Sequence, residues 1–419
     1  MRGGFVLIGL AISACASRGV VDTALNGDLF ALKRKIAETG RSGDLDRATV
    51  EELAAAVAGR EVRSAKGTEA VHRIRSVRSC ATPLLPVLRD RAERSDDAAA
   101  EATLVLLELG KLSRGPLLER YAEASSGAWR AVAARSAVGR KAGPLRRRLI
   151  GDPDERARRA ALQAAIESAD PADLEEVLET ARLDPDPMCQ SLATRAAGAI
   201  GGERAVIALD DHWARADETT RITIVDAWSM PSALRTGGER KLLWAAESTR
   251  GLPALAAAAA LLRTGGANAT LGTAILARGI REGTATERRL AMAMAPLSDN
   301  DVRKSLVQAT KSDDREIRVF ALERMLDDPP SKNHAVGPLR ELAKGRDQAA
   351  IMARTALATA GDSSVSRQLV AQLTAPNAEH RSLAAVGLLK LGDYAQAAAG
   401  LADDDPEVRT RVACTALAH

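Results

Sequence analysis

The chain has 419 residues, more than one compact hydrophobic core usually organises, so several domains or a repeat array are expected. Hydrophobic residues at 46% and charged residues at 27% exclude a disordered chain, and an aromatic content of 2% argues against a globular enzyme with a ring-lined pocket. The net charge of +4 is unevenly placed: 28 Lys+Arg face 20 Asp+Glu from Cys15 to Ala160, against 30 and 35 over 161–419 and 4 and 12 within 170–220. That distribution reads as a molecule electrically polar from end to end, a property of association surfaces rather than of fold. Alanine and leucine head the helix-propensity scale and strand formers are sparse, so the chain is read as all-α.

In chain order, Met1-Arg2-Gly3-Gly4 gives a short cationic start, and Phe5 to Ile12 is an apolar stretch too short to span a bilayer. It ends in Ile12-Ser13-Ala14-Cys15, which resembles a bacterial lipobox. The resemblance implies removal of residues 1–14 as a signal peptide and acylation of Cys15, the new N-terminus. Ala16, where an Asp would signal inner-membrane retention, favours the periplasmic face of the outer membrane. Two other readings stand beside it: a secretory signal cleaved at Ala14-Cys15-Ala16 to release a soluble periplasmic or secreted protein, and a buried apolar start to the first helix.

Residues 15–60 are read as an N-terminal helical cap, with a hairpin over 19–58 turning at Asn26-Gly27-Asp28. From 61 to 419 one grammar recurs. Asp152-Pro153-Asp154-Glu155-Arg156, Asp314-Arg315-Glu316-Ile317-Arg318 and Asp403-Asp404-Asp405-Pro406-Glu407-Val408-Arg409 each open a helix, with Asp405 as its cap and Pro406 in its first turn. Helix-stop glycines are expected at Gly110, Gly139, Gly201, Gly265, Gly361 and Gly392. Helix-start anchors fall at Ala100, Arg130, Arg156, Met188, Arg221, Ala254, Arg288, Arg318, Ala350, Arg381 and Arg409, a mean spacing of 30.9 residues. The last helix, stopping at His419, is expected to cap the far end of the stack.

This grammar resembles the HEAT family, in particular the short PBS-lyase-type HEAT-like repeats, most clearly in the last third of the chain and least between 221 and 290. The resemblance implies about eleven to twelve antiparallel helix pairs in a right-handed, armadillo-type α-solenoid with a concave face. It implies no activity, because the repeat grammar describes packing alone.

The chemistry-bearing residues are sparse. Cys80, Cys189 and Cys414 have no metal-ligand spacing and are read as small buried hydrophobes. His72, His212, His334, His380 and His419 form no HxxxH or HExxH pair, and no phosphate loop or nucleophile elbow occurs. No catalytic, cofactor or metal site is therefore assigned. The expected function is a non-catalytic scaffold of the cell envelope, anchored by lipid at Cys15 and binding protein partners. The candidate contacts are the basic Arg140, Lys141, Arg146, Arg147 and Arg148 and the acidic Asp210, Asp211, Asp217 and Glu218. The basic N-terminal half is also expected to orient on anionic headgroups. The alternative is a HEAT-like enzyme, DNA glycosylase-like or bilin lyase-like, using the basic 130–159 segment with Trp129. The export signal speaks against nucleic acid as a partner.

Overall fold

A computed structural model describes residues 18–418. The lipobox-like Ile12 to Cys15 lies outside the described residues. Helix makes up 80% of the chain, and no strand occurs among the described residues, so the all-α repeat architecture expected from composition is the one observed. No described helix is long and apolar enough to cross a membrane.

Ten of the eleven sequence anchors fall in the first helix of a helix pair, from Asp97–Glu108 through Gly127–Ser136 and Glu155–Ser168 to Ala378–Lys390, and Arg409 falls in the helix Pro406–Ala418. The local causes are those the sequence offers. Asp96, Asp154, Asp186, Asp314 and Asn377 each accept a backbone N–H in the first turn of the helix they precede, satisfying a donor that has no partner inside the helix. Gly201 and Gly392 leave their helices at φ +69° and +75°, a conformation that a side chain would strain. Alanine fills much of the core, Ala160, Ala161, Ala164, Ala165 and Ala257 to Ala260 among it, which lets neighbouring helices approach closely. At Gly198 a Cβ would clash with the Ala227 carbonyl oxygen of the next first helix. The stretch with the weakest repeat signal still forms helix pairs, with Trp213 and Trp228 stacked at 5.2 Å between ring centres.

The recurring contact between repeats is an arginine four residues after the helix cap. Arg130 Nη1 donates to the Ala124 and Ser125 carbonyls of its own loop, while Nε and Nη2 grip both oxygens of Asp152 in the next loop at 2.7 and 2.8 Å. Arg158 repeats this with the carbonyls of Asp152 and Pro153 and with Asp184, and Arg381 with Ala375, Pro376 and Asp403. Each carboxylate also accepts the backbone N–H two residues on, at Asp154, Asp186 and Asp405. In the weaker repeats Gln190 keeps only the backward bond, to the Asp184 carbonyl, and Arg288 reaches forward to Ser312 instead of an acid.

Two compact units result: Met1–Leu109 with Pro330–His419, and Gly110–Pro329. This division cuts across the expected boundary at residue 60. The N-terminal region is also not a hairpin: helices cover 18–26, Leu29–Ser42 and Arg47–Ser64, although the Asn26-Gly27-Asp28 turn forms and Asp28 caps its helix. Nor does Pro406–Ala418 end the stack. It packs on Arg47–Ser64, and Arg409 donates through Nε to Glu61 Oε1 at 2.8 Å while gripping the Asp403 and Asp404 carbonyls. Glu61 thus occupies the place that the next repeat's aspartate holds elsewhere. The helix Pro406–Ala418 completes its rung with the helix Arg47–Ser64.

A further correction concerns the cysteines. Cys80 and Cys414 are joined in a disulfide across 334 residues, whereas Cys189 is free and buried as expected. Burial, with the Asp186 carboxylate alongside, pushes the Cys189 thiol up to about 12.

The rungs set an acid dependence. Burial pushes the Asp403 and Asp152 carboxyls up, but the Arg381 and Arg130 guanidinia and the backbone N–H bonds outweigh it and leave both below their ordinary value. Groups depressed in the folded state stabilise it above their unfolded pKa and lose that contribution as pH falls through the folded value. Thermal unfolding should therefore be nearly flat from neutrality to about pH 4.5 and drop below about pH 4. Asp403→Asn should cost about 2–3 kcal/mol at neutral pH and make the acid drop shallower, read by circular dichroism melts.

Candidate functional site

A groove in the unit formed by residues 1–109 and 330–419 has a volume of about 860 Å³. One wall is the helix Leu29–Ser42, which presents Lys33, Ala37, Gly40 and Arg41 at three- and four-residue spacing. The other runs from Leu373 to Ala375 and from Ala395 to Asp404. The Arg381–Asp403 rung lines it, held at 2.7 Å, and Lys33 Nζ meets Asp404 Oδ1 at 2.6 Å. The Asp403 hydrogen bond holds the Arg381 guanidinium above its ordinary value, so the pair stays ionised across the neutral range. Ile36, Ala37, Leu373, Ala395 and Ala399 supply apolar wall, and a Cβ added at Gly40 would lie 3.9 Å from the Ala395 carbonyl oxygen. Thr374 is the one hydroxyl in the lining, which holds no histidine or cysteine and whose two carboxylates, Asp403 and Asp404, are both paired. The arrangement suits burial of small apolar side chains between fixed charges, in a volume typical of binding clefts.

The residues singled out in the sequence lie elsewhere, in the other unit, and not as one surface. Arg146 is fully buried, which overturns its reading as an exposed contact: Nε donates to Asp173 at 2.6 Å, and Nη1 to the carbonyls of Ala137 and Gly139. Its register explains this, since Gly143, Leu149 and Ile150, at i−3, i+3 and i+4, are buried with it. Arg147 is half-buried against Asp173, and Arg148 is exposed beside Glu123. Arg140 and Lys141 are exposed and make no ion pair among the described residues. Asp210 pairs with Lys241 at 2.5 Å, Asp211 is exposed, Asp217 caps the helix Glu218–Trp228, and Glu218 Oε1 accepts the Leu252 N–H. Bonds to Thr220 hold the Asp217 carboxyl below its ordinary value.

The basic 130–159 segment is largely spent inside the array, because Arg130, Arg146, Arg156, Arg158 and Arg159 each hold an aspartate. Trp129 is 9% exposed and stacks on Tyr121 at 4.3 Å, so it offers no open ring to a base. The charge asymmetry along the sequence is thus in good part the two sides of one internal ladder, which removes the geometric ground for a phosphate-contacting ridge. Among the described residues no cluster of three His, Cys, Asp or Glu is placed to hold a metal ion.

No family model matches the chain, and no curated protein matches it. Solved structures do: one is the crystal structure of an engineered protein, 17% identical, covering 85% of this chain and 98% of that one at a TM-score of 0.29. A superposition that loose adds nothing to the fold, which rests on this chain's own helices.

The burial difference is directly measurable. Arg146→Ala should lower stability by about 3–5 kcal/mol, since it leaves the fully buried Asp173 with only the longer contact to Arg147 at 3.3 Å. Arg140→Glu with Lys141→Glu should shift stability by no more than about 0.5 kcal/mol. Urea unfolding followed by circular dichroism separates the two.

Proposed function

We propose that this chain is a HEAT-like, exported protein-binding scaffold of the cell envelope, held by lipid at Cys15. In this reading the groove between Leu29–Ser42 and the repeats around 373–404 takes a polypeptide segment of a partner. The observation that carries it is the groove itself: apolar walls flanked by fixed charges, with no nucleophile–base pair in the lining. Small side chains at Ala37, Ala395 and Ala399 leave room for a partner's apolar side chains, while Arg41 and Lys33 stand at the edge to meet its carboxylates or backbone carbonyls. The Cys80–Cys414 disulfide supports the export part, because such bonds persist in oxidising compartments and are rare in the cytosol.

Ala37→Trp and Ala399→Trp fill the groove from exposed positions, so they should leave the helical spectrum intact. Wild-type bait should recover a defined partner from envelope extract, the filled variants should recover at least about tenfold less (roughly 1.4 kcal/mol of binding), and Arg140→Glu/Lys141→Glu should recover the wild-type amount. Equal recovery by the filled variants would move the binding surface away from the groove. Lipidation is checked separately by metabolic labelling with a fatty acid: label should enter the wild type and be absent from Cys15→Ser, and label in neither would remove the anchor.

A further inference from the structure

The joint between the two ends of the chain is built differently from the rungs inside the array. Within the array one guanidinium uses both oxygens of one carboxylate, which also takes a backbone N–H. At the joint, Arg60 and Arg409 both converge on Glu61 Oε1, at 2.8 Å each, and all three side chains are nearly or fully sequestered. Two buried cations thus share one anion, and Arg60 Nη1 is buried with no hydrogen-bond partner. Beside it Arg73 takes Glu407 at 2.6 Å and leaves its own buried Nε unmatched. An under-satisfied buried ion cluster contributes little net stability, because desolvation offsets much of the attraction. The Cys80–Cys414 bond lies across this same joint, linking the segment after Gly67–Ser76 to the helix Pro406–Ala418.

The two sulfurs are not equally placed. Cys80 is buried at 5% exposure, whereas Cys414 is half-buried and lines an open groove of about 530 Å³. Lys390 and Arg411 line that groove too, both exposed and with no ion pair among the described residues. Its one acid, Glu407, is already engaged by Arg73 and His72. The more exposed of the two cysteines therefore sits in electropositive surroundings, the setting that draws in and stabilises a thiolate.

We infer that the Cys80–Cys414 disulfide is a thiol-addressable lock on the joint between the chain ends, opened by a dithiol reductant that enters this groove and attacks Cys414. A thiolate of the reductant forms a bond to Cys414 Sγ as the Cys80–Cys414 bond breaks. The electron pair leaves on Cys80 Sγ, which takes a proton from solvent. The reductant's second thiol loses its proton and attacks its own sulfur in the mixed disulfide, releasing Cys414 as thiolate. The protein disulfide gains two electrons and the dithiol leaves oxidised to its disulfide. What remains at the joint is the under-satisfied ion cluster and the helix contact, so Pro406–Ala418 separates more readily from Arg47–Ser64.

The test uses the full oxidised chain. Limiting 2-mercaptoethanol, acid quench, alkylation and peptide mapping should place the mixed disulfide on Cys414 and the alkyl group on Cys80. An adduct on Cys80, or a bond that reacts only after denaturation, would overturn the assignment. Lys390→Glu with Arg411→Glu should slow the reaction about tenfold at low salt, with the difference shrinking at high salt; an unchanged rate refutes the electropositive entrance. For the lock, hydrogen exchange in 47–64 and 406–418 should rise at least about tenfold on native reduction with dithiothreitol, and Cys80→Ser/Cys414→Ser should reproduce that pattern. If the double variant does not fold, reduction of the wild type alone decides. Exchange in those helices that is indifferent to reduction would sink the proposal.

Discussion

The arginine four residues after the cap of the first helix, at Arg130, Arg158, Arg381 and Arg409, is the contact on which the best-formed repeats depend. Its guanidinium has five donors in a fixed fork, and a repeat boundary presents two kinds of acceptor: the unpaired carbonyls of its own loop and the carboxylate of the next. Arg158 meets both, with Nη1 on the carbonyls of Asp152 and Pro153 and the other edge on Asp184. A lysine could not, because a point charge does not fix the angle between two loops. Asp152 does double service, as the acceptor of Arg130 and as the residue whose backbone oxygen Arg158 reads, so adjacent rungs share an atom set and repeat spacing is handed on from one pair to the next. Alanine cores then follow naturally. With spacing held at the loops, thin helices can close up without large side chains to define the distance.

The same contact joins the helix Pro406–Ala418 to the helix Arg47–Ser64. A guanidinium that grips the carbonyls of its own loop still has an edge free for a carboxylate. Arg409 is such a residue, and Glu61 answers it from the helix Arg47–Ser64. The substitution of Glu for Asp, on a helix and not in a loop, brings a second arginine with it and loses the supporting N–H. The disulfide stands where this geometry is poorest. A cross-link that joins residues 334 apart restricts the unfolded chain strongly, an effect commonly worth about 2–4 kcal/mol.

Elements that are encoded over a few neighbouring residues were readable. Asp405 and Pro406 announce a helix start, Gly392 a stop, and both do what the pattern says because capping needs only the four residues around it. Charge was harder. Arg146, Arg147 and Arg148 look alike in sequence, and only register separates the buried one from the exposed one. Leu149 and Ile150, three and four residues on, were the signal available. The forward spacing of 22 or 26 residues from arginine to aspartate also stood in the sequence at Arg130, Arg158 and Arg381, yet such a rung is invisible until the loop partner is known to face it. The disulfide and the groove were not legible at all, since Cys80 and Cys414, or Ala37 and Ala399, share neither local pattern nor period.

These constraints bear on where a partner can bind. The sites with most charge in sequence are the poorest candidates, because each rung has already spent its donors and could release them only by stranding a buried aspartate. What the ladder leaves over is shape. At the Arg381–Asp403 rung the helix Leu29–Ser42 stands off from the repeat, in contact through Lys33 and Asp404, and the gap between them is the 860 Å³ groove. Its charged base is rigid for the reason the stack is rigid, while its walls are alanines that define a width and nothing more. The groove shares the Asp403–Asp404 loop with the joint that Arg409 closes, so the rung that sets its base belongs to the same ladder.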